Sequence, residues 1–463
     1  MLLNKVRTAL LGGGLACLVG WMPVQAETLG DALVAAYRNS NLLDQNRALL
    51  RAADEGVAQS VATMRPVIDF VLKGTHTNSE RVSLTGGGRS SPDTLTSSAA
   101  VTASINLYDG GNSRMGIEAA RETVLATRQG LVGVESNVLL TAVEAWTNLR
   151  LYQDIVALRQ GNVRVLEREL QASRDRFELG EITRTDVAQA EAALAGARAD
   201  LASAEGNVLV GRETYKLATG NAPTGLPSPP RPPQTASSVE EARRIARSHH
   251  HAIRQLQHEL TAAEINVKRA AARMGPSLGL SASAGQNNQG LTDRSVSLTL
   301  SQTIYQGGGL SSAYRQAMAQ RDAVRASLNQ QVAVVEQSVG AAWAQRQVTR
   351  ASIEATDRQI VAARAAYEGV REEARLGART TLDVLNAEQQ LLDAQAQRLQ
   401  AVTSEYVSNY QLLSAMGHLT VDHLKLGIPT YDVTGYYNAV KNAPVTSPQG
   451  KRLDRIMETV GRR

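Results

Sequence analysis

The sequence predicts a mainly α-helical protein with a small β part, built from two similar halves. Three observations carry this prediction. The segments "FELGEITRTDV" (177–187) and "ARLGARTTLDV" (374–384) repeat one helix break at an offset of 197 residues. Two other segments alternate apolar and polar residues with the period of a β-strand. Only 4% of the residues are aromatic while alanine is abundant, which favours long helices packed through small side chains.

The first 26 residues are predicted to be a signal peptide. Lys5 and Arg7 precede a mostly apolar stretch, and Val24-Gln25-Ala26 offers small residues where a signal peptidase reads, so cleavage is expected before Glu27. A short membrane anchor is the alternative, although the apolar run is shorter than a spanning helix of ~20 residues. Cys17 is the only cysteine, so the mature chain is predicted to have no disulfide and no thiolate site.

The charged residues do not indicate nucleic-acid binding. The net charge is +5, and Lys and Arg alternate with Asp and Glu along the helical segments. No Ser/His/Asp arrangement and no pair of catalytic acids stands out, so we expect no enzymatic activity and no cofactor. The run His249-His250-His251 does not predict a metal site, because consecutive helical residues point about 100° apart.

An internal duplication organises the chain. At the offset of 197 residues, Trp146 matches Trp343, Glu191 matches Glu388, and "LYDGG" (107–111) matches "IYQGG" (304–308). The segment between the halves is rich in proline, which predicts a stiff, extended connector. The predicted divisions are a signal peptide (1–26), a first repeat (27–220), a Pro-rich connector (221–237), a second repeat (238–417) and an irregular C-terminal tail (418–463).

Each half is predicted to begin with a helix of medium length, over 28–64 and 239–273. Apolar residues recur there at intervals of three and four, which is the helical period. Pro66 and Pro276 follow and end the two helices.

Two strands are predicted after the first helix of each half. The segments "VTASINLY" (101–108) and "SVSLTLSQTI" (295–304) alternate strictly, with Val, Leu and Ile on one face and Ser, Thr and Asn on the other. "VIDFVLKGT" (67–75) and "SLGLSASAG" (277–285) alternate more weakly. The sequence therefore predicts strands with one apolar face and one polar face that carries almost no charge.

A very long helix then follows in each half, over 112–178 and 311–376. Neither contains a proline, and at 1.5 Å per residue each would reach roughly 100 Å. Both end at the repeated Gly motif, after which a return helix is predicted over 184–218 and 381–416.

These lengths predict a rod or cylinder with the strands at one end. The strands have the ~8–10 residues of a tilted strand that crosses a bilayer. Four strands do not close a barrel, and an open sheet edge does not lie in lipid, so several copies are needed. Three copies would supply 12 strands. The alternative is a pair of soluble hairpins on a coiled-coil protein.

The order of elements resembles that of the TolC family of outer-membrane channels. The resemblance is carried by "ETLGDAL" (27–33), by "LYDGG" and by "RLGARTTLDVLNAEQQLLDAQ" (375–395), and it covers about 27–420. It implies a homotrimer with a 12-stranded β-barrel in the outer membrane, continued by a periplasmic tunnel of 12 helices. It also implies a passive conduit for type I protein secretion or small-molecule efflux. The partners implied are a periplasmic adaptor protein and an inner-membrane transporter, either an ABC or a proton-driven one.

The repeated motif is itself predicted to be a turn between antiparallel helices. Gly180 and Gly377 are expected in the left-handed conformation that ends the incoming helix. Thr183 with Asp186, and Thr380 with Asp383, have the spacing of a capping box, with Asp at the position where Glu is usual.

The resemblance also implies a gate at these turns. It places them at the closed periplasmic end, with Asp383 facing the pore. Asn386 stands where the family has a second acid, so the trimer would present one carboxylate ring. The positions of the family's gate contacts are matched by three residues: Thr185, Asp186 and Arg379. Ala374 stands where the family has a gate tyrosine.

A different class of function stays open at this point. A periplasmic coiled-coil adaptor or scaffold protein would also carry long helices and a signal peptide. Such an adaptor would be expected to have its own β-rich domains after one helical hairpin. The few short duplicated strands of this sequence favour the channel.

Overall fold

The computed structural model describes residues 27–78, 81–82, 89–90, 93–445, 451–452 and 455. The predicted signal peptide, with Cys17, lies outside the described residues. The first half comprises, in chain order, α1 (Leu29–Asn39), α2 (Asn41–Ala62), β1 (Val67–Asn78), β2 (Arg81–Val82), β3 (Arg89–Ser90), β4 (Asp93–Tyr108), α3 (Asn112–Glu178) and α4 (Arg184–Thr219).

The second half repeats this order without the two shortest strands. It comprises α5 (Val239–His249), α6 (His251–Ala272), β5 (Ser277–Asn287), β6 (Thr292–Ser301), α7 (Gly309–Arg375) and α8 (Thr381–Ala415). One short helix, α9 (Gly435–Val440), follows in the tail. The two predicted long helices are confirmed, since α3 and α7 each run for 67 residues.

The first helix of each half is broken, where the sequence predicted one continuous helix. Ser40 has an extended backbone and its side chain accepts the Leu43 N–H at 3.3 Å, so it ends α1 and caps α2. In the second half His250 is likewise extended, and its ring Nδ1 accepts the Ala252 N–H at 3.2 Å. A single capping side chain offers the N-terminal N–H groups a partner, and the helix axis can change direction there.

One antiparallel sheet joins the two halves. Its strand order is β1-β4-β5-β6, so a strand of the first half pairs directly with a strand of the second. The strand predicted over 295–304 lies three residues earlier in the structure, over 292–301. Its last residue, Ser301, lies opposite Ser277. Pro276 precedes that residue and has no N–H to extend the ladder. The edge strands of this four-stranded sheet are β1 and β6.

The sheet has one continuous apolar face. The register places Phe70 opposite Val101 and Leu280 opposite Leu298, so these four residues share a face. This apolar face is exposed to solvent in the single chain, since Phe70 is 71% and Leu298 is 64% exposed. The opposite face carries Ser, Thr and Asn, including the hydroxyl pair Ser283 and Ser295 at 2.8 Å. The predicted division into an apolar and a polar face is confirmed in the described strands, but the polar face also carries charge, because Asp69 and Lys73 of β1 lie opposite Thr102 and Ser98.

The long helices form two antiparallel hairpins, α3 with α4 and α7 with α8, and α3 also packs on α8. None of the helices in the described part of the chain has the apolar length that a membrane span requires. The principal core surrounds the middle of α3. There Trp146 and Tyr215 are fully buried, and the Trp146 indole N–H donates to the Glu27 carbonyl at 3.2 Å. Arg150 donates to the Leu226 carbonyl at 2.6 Å, which fixes the connector on α3.

Burial is unequal between the two long helices. Of the described residues, twenty are buried on α3 and five on α7. The difference arises because α3 is covered by α2, α4, α6 and α8, while α7 contacts mainly α8 and α6. One side of α7 is therefore exposed in the single chain.

The tail packs along α2 and α3. Tyr436 donates its hydroxyl to Glu55 Oε1 at 2.6 Å, and the Tyr431 N–H donates to the Tyr37 hydroxyl at 3.1 Å. Beneath this contact Asp54 is buried, and its Oδ1 has no hydrogen-bond partner among the described residues. Burial raises the pKa of Asp54 to about 6, against the opposing effect of the Arg128 charge.

Candidate functional site at the hairpin tips

Both hairpin tips have the same backbone geometry. Gly180 has φ 77° and Gly377 has φ 78°, which is the left-handed conformation predicted from the sequence. The Gly180 N–H donates to the Phe177 carbonyl at 2.9 Å, and Gly377 makes the corresponding bond to Ala374 at 3.1 Å. A Cβ at either glycine would meet no atom within 4 Å, so the left-handed backbone alone accounts for glycine there.

Both predicted capping boxes are present. The Asp186 N–H donates to Thr183 Oγ1 at 3.3 Å, and the Thr183 N–H donates to Asp186 Oδ2 at 2.9 Å. At the second tip the corresponding distances between Thr380 and Asp383 are 3.2 and 3.0 Å. These hydrogen bonds favour the charged carboxylates and lower the pKa of Asp186 and of Asp383. Asp186 and Asp383 are therefore both ionised at neutral pH.

The structure places the remaining predicted gate residues on the surface of the tips. Arg379 donates Nε–H to Glu373 Oε2 at 2.9 Å within its own hairpin. Thr185 is exposed on the first turn of α4, and Asn386 is exposed on α8, one turn after Asp383. Within the described part of one chain, Arg379 makes no hydrogen bond to Thr185 or Asp186.

A direct bond between the two hairpins involves a residue that the sequence analysis did not select. Arg176 donates Nη2–H to the Ala374 carbonyl at 3.4 Å and also pairs with Glu181 at 3.2 Å. At the repeat offset, Arg176 corresponds to Glu373. The two halves thus carry opposite charges at equivalent positions, and this difference in the sequence could have indicated a contact of Arg176 between the hairpins.

Asn386 also lines a cavity of about 510 Å³ between α3, α4 and α8. On the same helix, Glu388 is only 7% exposed, and its Oε2 has no hydrogen-bond partner among the described residues. Burial, together with the Glu169 charge, raises the pKa of Glu388 to about 7, although Arg371 and Arg168 act in the opposite direction. A buried acid of this kind cannot be identified from the helical period alone.

The histidine run lies at the junction of α5 and α6, where His250 caps α6. The rings of His249 and His418 lie 5.7 Å apart, and those of His418 and His423 lie 4.5 Å apart. Within the ranges that the structure describes, no group of His, Cys, Asp and Glu has the arrangement of a metal site.

Comparison with known proteins gives one family and several relatives. The family model described as outer membrane efflux protein matches residues 32–221 and 242–418. The Outer membrane efflux protein BepC of Brucella suis biovar 1 is 34% identical over 426 residues, which are 90% of this chain and 91% of that protein. The Alkaline protease secretion protein AprF of Pseudomonas aeruginosa is 28% identical over 272 residues, or 56% of each chain. Among solved structures, the outer membrane protein VceC of Vibrio cholerae has a TM-score of 0.72 at 18% identity, over 84% of this chain and 96% of that one.

Proposed function

Because this chain belongs to the outer membrane efflux protein family, we propose that it is the outer-membrane component of a tripartite export system and that it works as a homotrimer. The protein is an outer-membrane channel with a periplasmic extension. The resemblance to the TolC family is thus confirmed, and the adaptor or scaffold alternative does not account for a family match in both halves.

The sheet is the observation that supports this function most directly. It combines an exposed apolar face, a mainly Ser, Thr and Asn polar face, and, within the described strands, two edge strands, β1 and β6. The strands have 10 to 16 residues, sufficient for a tilted crossing of the bilayer. An open edge is unfavourable in lipid, so β6 of one copy would pair with β1 of the next. Three copies would close a barrel of 12 strands with the apolar face towards lipid.

The helices support the same assembly. At 1.5 Å per residue, α3 and α7 each extend about 100 Å away from the sheet. The side of α7 that is bare in one chain would lie against α4 of the neighbouring copy, and this contact would complete a periplasmic tunnel of 12 helices.

The tips are proposed as the periplasmic gate. Asp383 of each copy would face the pore and give one ring of three carboxylates, since Asn386 supplies an amide in place of a second acid. Arg379 would form a latch with Thr185 and Asp186 of an adjacent hairpin. In this proposal Gly180, Gly377, Thr183 and Thr380 have a structural role, because they build the turns.

The channel would be a passive conduit, without catalysis or a cofactor. It would work with a periplasmic adaptor protein and an inner-membrane transporter, which supplies the energy. The names of the relatives point to two kinds of transport: efflux for BepC and secretion of an alkaline protease for AprF. Deleting the gene and comparing secreted proteins with drug susceptibility would separate them.

The test is cell fractionation combined with gel analysis of unheated samples. We expect the protein in the outer membrane, migrating as a trimer that heating converts to a monomer. A soluble monomer would contradict the proposal. Purified trimers should also conduct ions in a planar lipid bilayer.

A further inference from the structure

The seam where α3 packs against α8 has a buried acid near the hairpin tips. Glu388 lies on α8, five residues after Asp383, and takes no part in the turns or the proposed latch. Two cavities meet at this residue. One of about 510 Å³ lies between α3, α4 and α8, and one of about 310 Å³ lies between α3, α7 and α8. Glu388 and Asn162 line both of them, so these two side chains lie between the cavities.

The charged groups around Glu388 do not form a pair with it. From α3 the facing groups are Arg168 and Glu169, and from α7 they are Tyr367 and Arg371. From α4 the acid that lines the larger cavity is Asp200, which is paired with Arg159 at 3.2 Å. No described residue lies within ion-pair or hydrogen-bond distance of Glu388 Oε2.

An ionised carboxylate is unfavourable in such a position. Without a donor, a charge on the buried Oε2 loses its hydration and gains no compensating bond. A protonated carboxyl group costs far less there. If α3 and α8 separate, water from the two cavities can reach Oε2 and the charged form becomes acceptable.

We propose that Glu388 is a proton-controlled gating residue: the α3–α8 seam stays closed while the carboxyl group holds a proton and loosens when it ionises. This inference rests on the proposed function, because the seam belongs to the helical wall directly behind the tips. It gives the channel a dependence on periplasmic pH.

The direction of the effect follows from proton linkage. The pKa of Glu388 is raised from 4.5 to about 7 in the closed seam, and an open, hydrated seam returns it towards 4.5. The closed form therefore binds the proton more tightly. The resulting stabilisation of the closed form relative to the open form is complete below about pH 4.5. That stabilisation is lost as the pH rises towards 7, by about tenfold in the closed-to-open ratio per pH unit. Asp383 does not titrate in this window, because its pKa is lowered.

The duplication supplies a matched control. Glu191 occupies the position of Glu388 in the first half, but its side chain is half exposed and pairs with Arg174 at 2.6 Å. Neutralising Glu191 removes the same charge from the equivalent turn of α4 without touching the α3–α8 seam.

The experiment measures the width of the seam directly. The mature chain is predicted to lack cysteine, so Gln160→Cys on α3 and Gln390→Cys on α8 introduce two exposed attachment sites for spin labels. Labelled chains are diluted with unlabelled chains before trimer assembly, so that each measured distance lies within one subunit. Distances are recorded at pH 5.0 and pH 7.5 in lipid nanodiscs.

In the otherwise unaltered chain we expect the long-distance population to rise at least tenfold between pH 5.0 and pH 7.5. Glu388→Gln, which is permanently neutral, should keep the short distance at both values, and Glu191→Gln should retain the response. A pH response that survives in Glu388→Gln would overturn the inference, as would its absence from the unaltered chain. If Glu388→Gln does not assemble, Glu388→Met provides the same neutral side-chain length in an apolar form.

A second readout separates this inference from the proposed function. Conductance of the same proteins in a planar bilayer tests the channel. A pH-dependent seam without conductance would contradict the proposed channel function and support the proposed role of Glu388. Conductance without a pH-dependent seam would support the proposed channel function and contradict the proposed role of Glu388.

Discussion

Arg379 is the residue on which the proposed latch depends. In a single chain it is held by Glu373 at 2.9 Å, while the proposed acceptors Thr185 and Asp186 lie on the other hairpin. We expect Arg379→Ser to raise the conductance of trimers in a planar bilayer, because the latch loses its only cationic donor. Unchanged conductance would exclude the latch.

Glu373→Gln is the matched control for this change. It removes the partner of Arg379 within the hairpin but leaves the arginine in place. If the latch joins two hairpins, this variant should conduct no more than the unaltered protein. If the hairpin pair itself restrains the tip, the two variants should behave alike.

Asp54 provides a prediction on stability. Its pKa is raised from 3.8 to about 6 in the folded protein. The contribution of the protonated carboxyl group to the free energy of unfolding is therefore fully present below about pH 3.8 and is lost as the pH rises through 6. Asp54→Asn should therefore stabilise the protein by about 1–2 kcal/mol at pH 7.5 and have little effect at pH 4. Thermal unfolding of the detergent-solubilised trimer, followed by circular dichroism, measures this.

The control for Asp54 lies on the same helix. Asp44 is exposed and pairs with Arg47 at 2.9 Å, so Asp44→Asn should give no stabilisation at pH 7.5. Equal stabilisation by both variants would show that the general loss of a negative charge is responsible, and not the burial of Asp54.

Residues differ in how far the sequence predicts them. The roles of Gly180 and Thr183 were predictable, because a left-handed turn and a capping box depend on residues within one turn of helix. Arg176, Asp54 and Glu388 were not selected for any role, because their environment comes from segments that are distant along the chain. Periodicity indicates which face of a helix is buried, but not which opposing group meets an acid there.

At the scale of elements, the two tryptophans allow a direct comparison of the halves. Trp146 is fully buried in the large core around α3, while its counterpart Trp343 is half-buried in a smaller core on α7. Trp146→Ala should cost about 3–5 kcal/mol through loss of contacts and a residual cavity, and Trp343→Ala should cost clearly less. Urea unfolding of the two variants under the same conditions gives both values. Equal losses would contradict the difference in packing.

The order and length of the elements were largely predictable. Uninterrupted helical patterns bounded by glycine gave α3 and α7 within two residues of their observed ends. The breaks at Ser40 and His250 were not predicted, since a single capping residue between two helical stretches hardly disturbs the period. The pairing of β4 with β5 was also beyond the sequence, because alternation indicates the face of a strand and not its neighbour.

At the scale of the whole molecule, the apolar face of the sheet can be tested. Leu298 is central on β6 and points to this face, so Leu298→Arg would place a charge against lipid. Such a charge costs about 2–4 kcal/mol near the middle of a bilayer. We expect less heat-sensitive trimer in the outer membrane, measured by fractionation and gel analysis of unheated samples.

Ser297→Arg is the control at the adjacent position. Successive residues of a strand point to opposite faces, so this arginine would lie towards water in the closed barrel. It should assemble at nearly the normal level. If Ser297→Arg were the more damaging change, the two faces of the sheet would have to be exchanged.

The sparse burial of α7 also bears on how a newly exported subunit survives before it meets its partners. Among the described residues of this helix, only three large apolar side chains are exposed: Val334, Val348 and Val361. Most other apolar positions on its bare side are alanines, such as Ala351 and Ala355. A single methyl group buries little area, so α7 of a lone chain offers other proteins little apolar surface to bind. When two copies pack along ~100 Å of matching surface, the area buried by these methyl groups becomes large. The exposed side of α7 is therefore expected to bind strongly only to another full-length copy of this chain.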